Sequence, residues 1–187
     1  EYKPSPGYTM KISTFNCQGF KSNRQMVSNL IVDNDITYLI EHWLTKQEAN
    51  LISELFPNHF LLNFQTDMEE SSCSRRRRGR PYGGKCWLIK KHIKIISYDL
   101  LNEIISTVEV EINSNGENLK MLLIGAWIPF DDNTSDKYAQ MVSTMSAVES
   151  LIMDFGHNKP IAIIGDLNAA IGRGRRYDKA LETLIKK

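Results

Sequence analysis

The stretch Ile161-Ala162-Ile163-Ile164-Gly165-Asp166-Leu167-Asn168-Ala169 constrains this chain more than any other. A short apolar run ends at a glycine, and a carboxylate and a carboxamide follow two residues apart. Apolar runs of this length, bounded by turn residues, read as buried strands. Residues two apart on a strand share a face. Asp166 and Asn168 are therefore expected to point the same way at the strand's C-terminal end. A carboxylate only accepts hydrogen bonds, whereas a carboxamide donates and accepts. Together they suit a hard cation beside a phosphate oxygen. The plainer alternative is a turn, where Asp, Asn and Gly are common anyway.

Two other stretches have the same design. Lys11-Ile12-Ser13-Thr14-Phe15-Asn16-Cys17-Gln18-Gly19 alternates as a strand and ends in Asn-x-x-Gly. Ile36-Thr37-Tyr38-Leu39-Ile40-Glu41-His42-Trp43-Leu44 carries one carboxylate after an apolar run. Asn16, Glu41, Asp166 and Asn168 thus stand at the C-terminal ends of three predicted strands, where ligands gather in α/β sheets. If those strands lie together, the four groups converge. Such a site is rich in oxygen donors, which favours Mg²⁺ or Mn²⁺ over zinc. Alternation puts His42 on the face opposite Glu41, which favours a core or supporting role over that of a ligand or general acid.

The rest of the chain alternates between the two periods. After a loose leader over 1–9, a strand is expected at 10–16, a helix near 22–33 and a strand at 35–41. A helix near 46–55 and a strand near 58–64 follow. Strands near 84–90, 93–98, 105–113 and 118–126 come next, the last two joined by Asn113-Ser114-Asn115-Gly116, strong hairpin chemistry. Ser135 to Met153 reads as a long helix, its apolar stripe running through Tyr138, Met141, Val142, Met145, Val148, Leu151 and Ile152. Residues 178–187 form a further short helix. Pro81-Tyr82-Gly83-Gly84 reads as a tight turn into the next strand. One domain, spanning 10–187, is expected, with no internal repeat.

Composition sets limits. With 187 residues the chain is long enough for a real core. A net charge of +1 is not the signature of a free-standing nucleic-acid binder. No apolar run reaches membrane-spanning length, and the N-terminal residues lack a signal-peptide pattern. Cys17, Cys73 and Cys86 form no CxxC pair, which fits free thiols inside a cell, in nucleus or cytoplasm, better than a disulfide scaffold. Positive charge is local. Arg75, Arg76, Arg77, Arg78 and Arg80 crowd one loop, and Arg173, Arg175 and Arg176 follow the Asp166 strand. Arginine forks match phosphate geometry and give salt-sensitive, sequence-independent affinity. Both clusters are candidate DNA or RNA contacts. For the first, a solvated loop, an import signal or an acidic protein partner are the alternatives.

The order Asn-x-x-Gly, Glu-His-Trp-Leu, Gly-Arg-Pro-Tyr-Gly-Gly, Gly-Asp-Leu-Asn-Ala resembles the endonuclease/exonuclease/phosphatase superfamily. Within it, the chain looks most like the apurinic-type endonuclease domain of non-LTR (LINE-like) retrotransposons, from about Met10 to about Ile171. The resemblance implies an α/β fold of two packed mixed sheets flanked by helices, four layers in all. It also implies Mg²⁺- or Mn²⁺-dependent nicking of DNA. By the same resemblance Glu41 matches the metal-binding glutamate, and Asn16 the asparagine near metal and phosphate. Asp166 matches the aspartate serving the attacking water, and Asn168 its phosphate-contacting neighbour.

Two departures stand out. The family usually has Tyr where this chain has Trp127, and an indole has no hydroxyl to offer a phosphate. The family pattern also continues with a further Asp and a Ser-Asp-His block, which nothing after Asn168 matches. The chain thus resembles the N-terminal two-thirds or more of such a domain, incomplete at its C-terminal end. Three readings follow. The chain is a fragment of a longer protein; or it is a domesticated relative that no longer cuts and serves as a binding or assembly module; or a protein partner or second copy covers the open sheet edge. A phosphatase for small phosphoesters shares the scaffold, but the arginine clusters favour DNA.

Overall fold

A computed structural model describes residues 9–66, 83–114, 117–156 and 159–186. The Arg75–Arg80 cluster, the leader up to Tyr8, Cys73 and His157 lie outside the described residues. The chain divides into two compact units, Glu1–Lys94 and Ile95–Lys187. Two four-stranded mixed sheets are flanked by helices.

In the first unit, β1 (Ile12–Asn16), β2 (Ile36–Ile40), β3 (His59–Gln65) and β4 (Lys85–Lys90) form a sheet of order β1-β2-β4-β3. β1 and β2 run parallel, with Asn16 opposite Ile40. β4 is antiparallel to both β2 and β3. Every residue of β2 is buried, as an apolar run without alternation predicts. Within it Leu39 pairs with Cys86, and Tyr38 pairs with Trp87, ring centroids 4.5 Å apart. α1 (Arg24–Asp33) buries Val27 and Ile31, one turn apart, against Leu39, Leu88 and Phe20. α2 (Ala49–Leu55) adds Ile52 to the same cluster. Each such side chain, fully buried, contributes about 1.5–3 kcal/mol relative to exposure. A short 3-10 turn (Lys46–Glu48) leads into α2, started by a capping box in which Glu48 accepts the Thr45 N–H at 2.9 Å.

In the second unit, β5 (Lys94–Leu100), β6 (Ile105–Ser114), β7 (Glu117–Trp127) and β8 (Ile161–Asp166) lie in sequence order. β6 and β7 are antiparallel, and their register sets Ser114 opposite Glu117, so two residues connect them, as the Asn-Gly pair predicts. β8 is parallel to β7, with Asp166 opposite Trp127. α3 (Ser135–Phe155) lies between them in the chain, as a parallel pair requires a crossover. Its N-cap Thr134 accepts the Lys137 N–H at 3.3 Å, and Asp136 sits in its first turn. The buried face of α3 is Met141, Thr144, Met145 and Val148. Tyr138 and Val142, expected on that stripe, are exposed. The face is rotated toward Thr144, whose hydroxyl is satisfied by the Gln140 carbonyl at 2.7 Å. α4 (Arg176–Ile185) packs Tyr177 and Leu181 against Met141, Met145 and Ile128. No helix among the described residues is long and apolar enough to cross a membrane.

Candidate functional site

The sequence-predicted residues fall into two corners, one in each unit. In the first, β1 and β2 end side by side because they pair in parallel, and Asn16 Nδ2 donates to Glu41 Oε1 at 2.8 Å. Glu41 is not on the strand. It follows Ile40 with φ +55°, and Trp43 has the same value. Left-handed backbone at a non-glycine residue carries strain that surrounding structure must hold. Here the hold is backbone: Gly19 N–H donates to the Glu41 carbonyl at 2.8 Å, Phe20 N–H to the His42 carbonyl at 2.9 Å, and Trp43 N–H to the Gly83 carbonyl at 3.0 Å. The Cys17 thiol points at the Glu41 carbonyl at 3.5 Å, and burial pushes its pKa up to about 11, so it stays a thiol.

His42 completes the hold. It is fully buried. Leu44 N–H donates to Nδ1 at 3.0 Å, and Nε2 lies 2.9 Å from the Gln65 carbonyl. Nδ1 therefore accepts and Nε2 carries the proton, which defines a neutral tautomer. The ring stacks on Phe64 at 4.6 Å. Burial lowers its pKa to about 4. With both nitrogens engaged, His42 braces the corner. Gly84, at φ +85°, has no room for a Cβ, which would overlap the His42 ring.

The Glu41 corner suits a hard cation. Oε1 takes the Asn16 amide hydrogen, and Oε2 has no partner among the described residues. Mg²⁺ is commonly held by one or two carboxylates, keeps several waters and takes substrate phosphates as its remaining ligands. No group of three or more His, Cys, Asp or Glu side chains that could hold a metal gathers among the described residues, so the donors fit that sparse arrangement and not a closed zinc site. Glu41 would hold the ion, and Asn16 would keep its carboxylate aimed.

In the second unit, Asp166 is the last residue of β8, and Asn168 has turned off the strand with φ +49°. Asn168 N–H donates to Asp166 Oδ1 at 3.2 Å, an Asx turn. The side chains face one cleft through this turn and not through strand alternation. Asn168 Nδ2 donates to the Ile128 carbonyl at 2.8 Å, and Ile128 N–H donates to the Asp166 carbonyl at 2.9 Å. This leaves Asn168 Oδ1 and one amide hydrogen for a ligand. Gly165 permits the close approach, since a Cβ there would overlap the Ala126 carbonyl oxygen. Trp127 ends β7 half-buried, its backbone N–H donating to the Ile104 carbonyl at 3.1 Å.

The cleft has a volume of about 940 Å³ and is lined by Asp166, Asn168, Phe130, Arg173, Arg175 and Arg176, among others. Sequence reasoning missed what organises it. Asp178, fully buried, accepts from Ala170 N–H (2.8 Å), Arg175 N–H (2.8 Å), Arg173 Nε (3.0 Å) and a terminal Arg173 nitrogen (2.7 Å). The Arg173 guanidinium, with these N–H groups, holds the Asp178 carboxyl well below the usual carboxylate range. Arg173 also donates to the Asn168 carbonyl at 3.3 Å. Arg176 grips Asp131 with two nitrogens, Nε lying 2.8 Å from Oδ2. Arg173 and Arg176 thus spend one edge of each fork on a carboxylate and keep the other edge open. Arg175 is exposed and makes no ion pair among the described residues. The available signal was acid at the third position of a helix after a turn, the second half of a capping box.

No protein-family model matches the sequence, and no curated protein matches it. Solved structures do. An AP endonuclease from Archaeoglobus fulgidus is similar with a TM-score of 0.67 at 13% identity, covering 95% of this chain and 70% of that one. The 3′ phosphatase NExo from Neisseria, solved with a product DNA hairpin, is similar with a TM-score of 0.67 at 14% identity, covering 95% and 71%. TDP2 from C. elegans is similar with a TM-score of 0.57 at 15% identity, and this chain spans 48% of its length. Two four-stranded mixed sheets with flanking helices, superimposable on these proteins over most of the chain, give this protein the endonuclease/exonuclease/phosphatase fold.

Proposed function

We propose that this protein is a metal-dependent DNA phosphodiesterase, the nicking endonuclease domain of a non-LTR retrotransposon. The observation that carries the reading is the Asp166–Asn168 corner, which opens into a cleft lined by three arginines. An acid and an amide beside phosphate-matching forks are the parts that phosphodiester hydrolysis uses. The solved neighbours, an AP endonuclease and a 3′ phosphatase with a DNA hairpin product, support DNA as the substrate class. The Glu-His-Trp-Leu and Gly-Asp-Leu-Asn-Ala blocks support the retrotransposon assignment.

In this reading the Asp166 carboxylate takes the proton of the attacking water. The water oxygen bonds to phosphorus as the bond to the leaving oxygen breaks. Asn168 holds a non-bridging oxygen as charge develops. Glu41 would hold the divalent ion, which would supply neutralisation of phosphate charge and stabilisation of a leaving oxygen. Arg175 and the open edges of Arg173 and Arg176 attract the DNA backbone.

Conversion of supercoiled plasmid to nicked circle, with Mg²⁺ or with EDTA, tests the reading. The expected result is nicking that needs the metal and falls about 10²–10⁴-fold in Asp166→Ala, with Glu41→Ala at least as impaired. Nicking that is equal in both variants and in the native chain overturns it.

A further inference from the structure

Phe130 lines the cleft along with Leu167, Ala169 and Tyr177, and unlike them it holds its side chain out to solvent, 70% exposed. Its backbone is anchored on both sides. Two residues before it, the Ile128 N–H and carbonyl are tied to Asp166 and Asn168 at 2.9 and 2.8 Å. The residue after it, Asp131, is gripped by Arg176. A ring held out to solvent from an anchored backbone forgoes the burial that a Phe normally finds in folding. Around it stand groups that suit phosphate: Asn168, Arg175 and the open edge of Arg173. A ligand that satisfies both needs a flat aromatic face and an anionic group on one short scaffold, as a nucleotide has.

We propose that Phe130 is a stacking platform for one unpaired nucleobase next to a phosphate held at Asn168, Arg173 and Arg175, so that the cleft prefers single-stranded or flipped-out DNA over an intact duplex. The proposal deepens the phosphodiesterase reading and rests on it for the identity of the substrate. Stacking of a base on an aromatic side chain is tolerant of sequence, because every base has a π-face. A base locked in a duplex has both faces covered by its neighbours, so the ring would discriminate strandedness more than sequence.

The test is binding without turnover. Fluorescence anisotropy in EDTA follows a short labelled single-stranded oligodeoxynucleotide, the same sequence as duplex, and a single strand in which abasic tetrahydrofuran units replace the nucleosides. Phe130→Ala should weaken the base-bearing single strand about 5- to 150-fold, the range for loss of one stacked base. It should leave the abasic strand unchanged, and Phe130→Trp should retain native affinity. The ring is exposed, so the melting temperature of both variants should match the native chain. An equal loss on the base-bearing and abasic strands, an equal loss on duplex, or no loss at all overturns the platform. Plasmid nicking by the Glu41 and Asp166 variants reads the phosphodiesterase assignment separately, so failure of one is not failure of the other.

Discussion

The corner at Glu41 and the corner at Asp166 both end a parallel strand, yet they are held by opposite means. Around Glu41 the hold is dry: backbone hydrogen bonds, a neutral buried imidazole and two residues in left-handed conformation. Around Asp166 it is ionic: Asp178 gathers the following loop through Arg173, and Asp131 ties the preceding loop to α4 through Arg176. A dry hold is rigid, indifferent to salt and sensitive to any proton that enters it. An ionic hold at a cleft wall is screened by salt and leaves charge available to a ligand. The first design suits aiming one carboxylate, and the second suits receiving a polyanion.

The glycines break the comparison most sharply. Gly84 meets a side chain, the His42 ring, whereas Gly165 meets backbone, the Ala126 carbonyl. A ring can shift a little, but a carbonyl in a sheet ladder cannot. Gly165→Ala should destabilise by upwards of roughly 3 kcal/mol and Gly84→Ala by about 1–3 kcal/mol, read from urea midpoints. A milder effect at 165 than at 84 would show that the β7–β8 pairing can open without cost.

The pH dependence separates the two holds. His42 has a folded pKa of about 4, lowered by burial from 6.5. Below pH 6.5 the unfolded chain takes up a proton that the folded chain refuses. The stability from His42 is thus complete above pH 6.5 and is lost as the pH falls toward 4. At pH 5 the loss is about 2 kcal/mol. His42→Gln should flatten that limb of a stability–pH curve. Asp178 behaves otherwise. Its carboxyl is held below the usual range by Arg173, so its contribution is complete above about pH 4 and is lost only below it. A flat curve between pH 7 and 5 in the native chain would count against a buried neutral His42.

The smallest effect is expected at Asp178 near neutral pH. Asp178→Ala should lower the melting temperature by several degrees and loosen the Asn168–Arg175 loop, which faster amide exchange at Ala170 and Arg175 would report. Unchanged exchange there would mean that the loop holds itself.

Much of this was legible in the sequence, for physical reasons. β2 announces itself because a largely apolar run has nowhere to go but a sheet interior, whereas β8, just as apolar, comes last in its sheet with every residue only half-buried, and the Asn115-Gly116 pair matches the two-residue gap in the β6–β7 register. Asn16 and Glu41 were expected to meet at strand ends and are hydrogen-bonded at 2.8 Å. The Asx turn at Asn168 was hidden, since strand alternation and a turn both bring residues two apart to one side. Asp178 was hidden because an acid among Arg and Lys looks like a solvated face until the helix start is placed two residues earlier, at Arg176. Phe130 could not be told from core by type alone, because only folding decides which aromatic is left outside.

The left-handed backbone at Glu41 sets stability against activity. A glycine there would adopt φ +55° without strain, and asparagine would come close to doing so. Either would relieve the chain while removing its carboxylate. A library screened for heat resistance alone should therefore discard Glu41 early, and its persistence in a natural population would measure how strongly selection values the chemistry over the fold.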